Sequence, residues 1–137
     1  MDGTLYLGDN LFTFTKDLLA KIKSKGKRYM FMTNNSSKSV VDYVKKLGKL
    51  GIESDYEDFM TSSQATAYYL KKYHMGARLY VCGTESLKEE LRANGFAVTE
   101  KLDEVDLIVM GNDNELTFKK LEDACILLKE DIDYIAT

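Results

Sequence analysis

Two short polar clusters hold the residues whose types could do chemistry. The first is Asp2-Gly3-Thr4, and the second is Thr33-Asn34-Asn35, which follows an apolar run at 29–32. A carboxylate can donate or accept a proton, hydroxyls and loop N–H groups can hold phosphoryl oxygens, and a glycine lets the backbone approach a ligand closely. Carboxylate and carbonyl oxygens are also the ligands that Mg2+ prefers. Together the clusters predict a site for a phosphate group and a divalent cation.

Each cluster alone has a simpler interpretation. Asp-Gly-Thr is a common turn, and a Thr-Asn-Asn-Ser-Ser run is a common helix-capping loop. Both clusters, however, follow consecutive predicted strands of a parallel arrangement, where ligands bind beyond the carboxyl ends of the strands. Their joint occurrence therefore favours a functional site over two unrelated turns. The later Gly8-Asp9 pair is interpreted as a structural turn.

The first half of the chain shows alternating short strands and amphipathic helices. We predict helices capped by Thr15, Ser39 and Ser63, the first of them ending near Lys25. Strands are predicted at 28–32 and 58–61, from short apolar runs that precede polar residues.

The second half repeats this alternation. Strands are predicted at 78–82, 107–110 and 134–136, and helices at 85–93 and after Thr117. The first of these helices places Leu87 and Leu91 inward. The second is predicted to bury an apolar face made of Leu121, Ala124, Cys125 and Leu128. Strands that alternate with helices indicate an α/β fold with a parallel sheet.

Composition excludes several classes of function. The chain has 137 residues and a formal net charge of -3, which argues against nucleic acid as a partner. No apolar run has the ~20 residues of a membrane span, so no membrane partner is expected. His74 is the single histidine, which argues against Ser-His or histidine-rich zinc chemistry.

The cysteines and the chain ends suggest a compartment and a truncation. Cys82 and Cys125 lie far apart in apolar surroundings, and we expect buried free thiols in a reducing, cytoplasmic compartment. The chain has no proline, begins on a polar turn and ends on a predicted strand. We therefore expect a fragment that is truncated at both ends.

Residues 2–9 and 33–36 together resemble the first and second motifs of the haloacid dehalogenase (HAD) superfamily. The similarity is greatest to its NagD or 4-nitrophenylphosphatase-like branch. Further agreement runs along the chain, at 61–67, 69–70, 80–83, 87–91, 95–96, 109–113 and 116–118. The resemblance implies a HAD-like Rossmannoid core, present here as its N-terminal part at 1–76, and an α/β cap domain at 77–137.

The resemblance also implies a mechanism. In this family a first aspartate attacks phosphorus to form an aspartyl-phosphate, and a second aspartate, two positions later, protonates the leaving group and then activates water. Asp2 matches the second aspartate, so the nucleophile would precede Met1. Its backbone carbonyl would hold Mg2+, and the phosphate would contact Gly3, Thr33, Asn34 and Asn35. The family's downstream lysine and Gly-Asp metal motif have no match before Thr137.

The implied function is Mg2+-dependent hydrolysis of small phosphorylated metabolites, such as sugar phosphates, phosphoglycolate or nucleotides. A homodimer through the cap is left open, and Asp113 either faces the substrate or shapes its own turn. One alternative is a non-catalytic phosphometabolite-binding or regulatory module. A receiver-like signalling domain lacks an acidic pair that we can place, and a dinucleotide fold lacks Gly-x-Gly-x-x-Gly after a strand.

We predict that the 137-residue chain has no appreciable phosphatase activity, because its nucleophile and two further catalytic parts have no match in the sequence. The test is incubation with 4-nitrophenyl phosphate and Mg2+. Turnover comparable to that of a typical phosphatase would refute this expectation.

Overall fold

A computed structural model describes every residue from Met1 to Thr137. Its contacts divide the chain into two compact units. The first unit comprises Met1–Thr33 and Val40–Met60, and the second comprises Asn34–Ser39 and Thr61–Thr137. Strands and helices alternate in both halves of the chain, which confirms the α/β prediction.

The first unit is built on short elements. Strands β1 (Tyr6–Leu7) and β2 (Asn10–Leu11) form an antiparallel hairpin, with Gly8 at a φ of 58° in its turn. Helix α1 (Thr15–Ser24), strand β3 (Phe31–Thr33) and helix α2 (Val40–Lys49) follow. Strand β4 (Phe59–Thr61) pairs with β3. The hairpin confirms the turn predicted at Gly8-Asp9.

Apolar side chains from these elements form one core cluster. Tyr6, Phe31, Tyr43 and Phe59 supply its aromatic part, and Phe31 and Phe59 lie 5.2 Å apart between ring centroids. Leu47 on α2 is fully buried in the same cluster. The core therefore connects the opening residues of the chain to β3 and α2.

The second unit contains a four-stranded parallel sheet in the order β6-β5-β7-β8. In chain order its elements are α3 (Ser62–Tyr73), β5 (Arg78–Cys82), α4 (Glu85–Ala93), β6 (Ala97–Val98), β7 (Leu107–Met110), α5 (Phe118–Lys129) and β8 (Tyr134–Ala136). The bounds of β5, α4, β7 and β8 are those predicted. The two-residue strand β6 was not predicted.

Both faces of this sheet are covered. Because side chains alternate along a strand, Leu79 and Val81 face a cluster that contains Leu87 and Leu91 of α4. Tyr80 and Cys82 face the opposite cluster, which contains residues of α5. The connections from β5 and β7 lead to opposite edges of the sheet, so the carboxyl ends of these two strands form its topological switch point.

The structure corrects two predicted helix caps. Thr15 is the first residue of α1, and its hydroxyl donates a 2.7 Å hydrogen bond to the Leu5 carbonyl instead of capping the helix. Thr61, not Ser63, caps α3: its Oγ1 accepts from the Gln64 amide at 3.1 Å, and the Gln64 side chain accepts from the Thr61 amide at 2.9 Å. Sequence reasoning missed this reciprocal capping box.

Three of the four buried positions predicted in α5 are also wrong. Leu121 and Leu128 are 46% and 40% exposed and Cys125 is exposed too, whereas Ala124 and Leu127 are buried. Cys82 is a buried free thiol as predicted, but Cys125 is exposed, although it too is free. The predicted strand at 28–32 begins later, at Phe31, and includes Thr33.

The compact units do not share the predicted domain boundary. Residues 61–76 belong to the second unit, because Ala67 and Leu70 of α3 pack in the same cluster as Leu79 and Val81. The assignment of a core at 1–76 and a cap at 77–137 stays a prediction. No helix of the structure combines the length and apolar composition needed to cross a membrane.

We predict that Leu91→Ala lowers the free energy of unfolding by about 2–5 kcal/mol, because Leu91 is fully buried and its truncation leaves a cavity. Urea unfolding measures the change. The matched control is Glu89→Ala on the exposed side of the same helix, for which we expect a change within about 0.5 kcal/mol. Equal effects of the two substitutions would contradict the packing described here.

Candidate functional site

The opening loop of the first unit is held by its own backbone. The Met1 carbonyl accepts hydrogen bonds from the amides of Thr4 and Leu5, at 3.1 and 3.0 Å, and the Gly3 amide donates to the Tyr6 carbonyl at 2.8 Å. The Leu5 carbonyl is tied to the buried Thr15 hydroxyl. These bonds fix the loop on the fully buried Tyr6 and leave Asp2 exposed.

Gly3 has a specific conformational role in this loop. Its φ is +74°, a left-handed conformation that favours glycine. No atom lies within 4 Å of the position where a Cβ would stand, so the space beside Gly3 is open. The Gly3 amide already donates to the Tyr6 carbonyl. A ligand beside Gly3 would therefore contact the backbone without receiving a hydrogen bond from this N–H.

Tyr43 connects the two predicted parts of the site within the first unit. Its hydroxyl makes a side-chain hydrogen bond with Thr33, the last residue of β3. Burial raises the pKa of Tyr43, the bond to Thr33 lowers it, and the negative charges of Asp2 and Asp42 raise it. Thr33 and the charge of Asp2 therefore both affect the pKa of one buried phenol.

The pKa of Tyr6 is also raised, and Asp2 contributes to this shift as well. Burial raises the pKa of Tyr6 to about 12, and the charges of Tyr43 and Asp2 add to the rise. The Lys46 ammonium lies 4.5 Å from the centre of the Tyr6 ring, on its face. Sequence reasoning did not select either tyrosine as part of the site. The sequence feature that could have indicated Tyr43 is its position, because it is a hydroxyl-bearing residue one turn after Val40 on the apolar face of α2.

Asn34 and Asn35 belong to the second unit, together with residues 36–39. The Asn35 Oδ1 accepts from the Ser37 amide at 2.8 Å, which shapes a local turn, and the Asn34 carbonyl accepts from the Ser62 hydroxyl at 3.2 Å. Asn34 is exposed, whereas Ser36 is fully buried. The structure thus gives this segment a fixed backbone, with the Asn35 amide oxygen engaged in shaping it.

Asp113, in the loop after β7, has a structural environment. Its side chain is 3% exposed, its Oδ1 accepts from the Glu115 amide at 2.8 Å, and its Oδ2 accepts from the Lys120 ammonium at 2.9 Å. Of the two roles considered for Asp113, the geometry favours shaping the turn. Sequence reasoning overlooked Lys120, which lies in the first turn of α5, three residues after its Thr117 cap.

A different cleft lies in the second unit between α5 and the end of β6. Its volume is about 260 Å3, and Tyr80, Lys88, Thr99 and Asp123 are among its lining residues. Its lysines are already paired: Lys88 with Glu100 at 3.1 Å, and Lys119 with the buried Asp123. None of the predicted site residues lines this cleft.

The oxygen atoms of Asp2 are donors of a type that binds magnesium. No group of three or more His, Cys, Asp or Glu side chains in the structure could hold a metal. Magnesium, however, commonly keeps several waters and binds through one or two carboxylates together with substrate phosphate. The exposed carboxylate and the carbonyl of Asp2 are oxygen donors of that kind.

Comparisons with known proteins show the family of this chain. Residues 1–97 match the family model described as haloacid dehalogenase-like hydrolase. An acid sugar phosphatase of Staphylococcus aureus is 32% identical over 138 aligned positions, which cover 100% of this chain and 52% of the relative. The chain spans about half the length of the curated relatives that it matches.

Solved structures of phosphatases have the same fold. A 4-nitrophenylphosphatase from Thermotoga maritima superposes with a TM-score of 0.94 at 39% identity, covering 99% of this chain and 51% of that one. A glycerol phosphate phosphatase from Mycobacterium tuberculosis, in complex with magnesium, gives a TM-score of 0.90 at 28% identity, covering 99% of this chain and 41% of that one. The two phosphatases share this fold over nearly the whole of the present chain.

We predict that stability falls at alkaline pH through Tyr6. The folded state raises the pKa of Tyr6 from 10.0 to about 12, so it favours the neutral phenol. The stabilisation is complete below the unfolded-state pKa and is lost as the pH rises through the folded-state pKa. Urea unfolding from about pH 9 to about pH 12 should show this loss, and Tyr6→Phe should show a shallower one. Equal slopes for the two proteins would contradict the prediction.

Proposed function

Because the chain belongs to the haloacid dehalogenase-like hydrolase family, we propose that the whole protein is a Mg2+-dependent phosphatase of small phosphorylated metabolites. The observation that supports the proposal is that Thr33, through a hydrogen bond, and Asp2, through its charge, both affect the pKa of the Tyr43 phenol. We propose that this carboxylate, at the start of the chain, and this hydroxyl, at the end of β3, belong to one site. A phosphomonoester needs such a pair, one group for its leaving oxygen and one for its phosphoryl oxygens.

Asp2 is the proposed general acid and base. Its carboxyl group protonates the leaving oxygen of the ester and afterwards takes a proton from the attacking water, as the transfer through an aspartyl-phosphate requires. The exposed position of Asp2 gives a substrate access to it. The open space beside Gly3 allows a phosphate to approach the backbone.

Thr33 is the proposed phosphate ligand of the first unit. The bond to Thr33 lowers the pKa of Tyr43, which is the effect of a hydroxyl that donates to the phenol oxygen. A hydroxyl can both donate and accept, so with a phosphate bound Thr33 would donate to a phosphoryl oxygen and accept from the phenol instead. Asn34 and Asn35 follow Thr33 in the chain and are proposed to add polar contacts to the phosphate.

The backbone carbonyl of Asp2 is the proposed magnesium ligand of this chain, which leaves its carboxyl group free for proton transfer. When bound, the ion would offset the negative charge that develops on the phosphoryl oxygens. The relative solved with magnesium supports this cofactor. A cytoplasmic location, supported by two free cysteines, completes the proposal; whether the whole protein forms a homodimer through the cap is left open.

The proposal is tested by Asp2→Asn in the whole protein, with 4-nitrophenyl phosphate as substrate. Loss of a general acid and base should lower kcat about 10²–10⁴-fold. The matched control is Asp9→Asn, which changes an exposed aspartate of the neighbouring hairpin turn and should leave kcat within about twofold.

Two outcomes would contradict the assignment. Equal kcat values for Asp2→Asn and the parent protein would remove Asp2 from the chemistry. Binding of phosphate esters, measured by calorimetry, without any turnover by the whole protein would instead favour the non-catalytic phosphometabolite-binding module.

A further inference from the structure

Lys120 makes three hydrogen bonds at the carboxyl ends of two neighbouring strands. Its ammonium donates to the Gly83 carbonyl after β5 at 3.0 Å, and to the Asp113 carboxylate and the Glu115 carbonyl after β7, at 2.9 and 3.2 Å. An ammonium group has three donors, so these partners use all of them. Lys120 therefore has no donor left for a ligand, and it joins the two loops of the switch point.

The same two loops hold the segment that contains Asn34 and Asn35. The Asn112 amide donates to the Ser36 hydroxyl at 2.9 Å, and the Thr84 hydroxyl donates to the Ser37 carbonyl at 3.2 Å. Thr84 and Ser36 are both almost fully buried. The backbone of 34–37 is thus attached to one loop through Ser36 and to the other through Ser37.

The lack of a side chain at Gly111 lets the loop after β7 lie close to Ser36. A Cβ at Gly111 would stand 2.6 Å from Leu87 Cδ2 and 3.1 Å from Ser36 Oγ. Leu87 is itself fully buried, so it cannot readily move aside. The loop after β7 therefore lies directly against Ser36, and a shift of this loop would move that contact.

The charge of Lys120 is needed to keep the loop after β7 in place. The Asp113 side chain is 3% exposed and Lys120 is its ion-pair partner. A buried carboxylate that loses its partner is strongly destabilised and tends to move towards water. Movement of Asp113 would carry along Asn112, which bonds Ser36, and Glu115, whose carboxylate accepts from the Glu85 amide at 3.3 Å.

We propose that Lys120 is a positioning residue. Through the loops after β5 and β7 it fixes the backbone of 34–37, and so the conformation in which Asn34 and Asn35 meet a phosphate group. The role of these two asparagines rests on the proposed function. The positional effect of Lys120 on Ser36 and Ser37 does not.

The test compares Lys120→Met with Lys129→Met in the 137-residue chain. Both variants lose one positive charge from α5, but Lys129 is exposed in the last turn of this helix. Amide hydrogen exchange is followed by NMR at Asn112 and Ser37, whose amides bond to Ser36 and Asn35. We expect about tenfold faster exchange in Lys120→Met and less than twofold change in Lys129→Met, with the amides of Leu79 and Val109 unchanged in both.

Inorganic phosphate is the probe for the functional consequence. We expect its affinity to fall about fivefold in Lys120→Met and less than twofold in Lys129→Met. If the parent chain binds no phosphate, the phosphate-binding part of the proposed function fails, and the exchange rates alone decide the positional role. If phosphate binds equally to both variants while exchange differs, Lys120 positions the segment without affecting its contact with phosphate. That result would overturn the phosphate-binding part of the proposal.

A second variant keeps the test valid if Lys120→Met does not fold. Asp113→Asn removes the ion pair but leaves Lys120 its two carbonyl acceptors, and it should accelerate the same two amides by a smaller factor. A folded Lys120→Met or Asp113→Asn protein with parental exchange at Asn112 and Ser37 would overturn the proposal.

Discussion

The first unit depends on the burial of two tyrosines beside a carboxylate. Tyr6 and Tyr43 are 1% and 4% exposed, and each lies in a core cluster with Phe31 and Phe59. Their burial fixes the opening loop against β3 and α2. Because the phenols are held there, the charge of Asp2 and the hydrogen bond from Thr33 both affect the pKa of Tyr43.

The second unit uses another constraint, the ordering of loops at the switch point of a parallel sheet. Two strands of this sheet, β5 and β7, end in the glycine-containing turns at Gly83 and Gly111. A lysine from α5 joins the turns, and their polar groups hold the backbone of 34–37. A polar network in this position is stable only when its members are paired. The ion pair with Lys120 satisfies the Asp113 carboxylate, which is the most buried charge of this network.

Sequence patterns predicted the second unit best, because its strands are continuous apolar runs and its helices have clear caps. The Thr117 cap of α5 accepts from the Lys120 amide as predicted. Patterns failed where two residues could serve one purpose. Thr61 and Ser63 are both good caps, and only Thr61 has a glutamine at the third helical position to complete the box. Leu121 and Leu128 follow helical spacing as well as Leu127 does, and only tertiary packing selects the buried face.

For the site, residue types and spacing predicted Asp2, Gly3 and Thr33, but they could not predict what connects these residues. The hydrogen bond between Tyr43 and Thr33 joins residues from different elements, and the buried environment of Asp113 depends on a lysine of the following helix. Both are consequences of packing rather than of local pattern.

The central claim is that Asp2 and Thr33 serve one phosphate group. A double-mutant cycle on kcat/KM of the whole protein tests it most directly, with Asp2→Asn, Thr33→Val and the double variant. Groups that act on the same substrate should be coupled by about 0.5–3 kcal/mol, whereas independent groups should add within about 0.5 kcal/mol. We predict the coupled result, and additive effects would contradict the account.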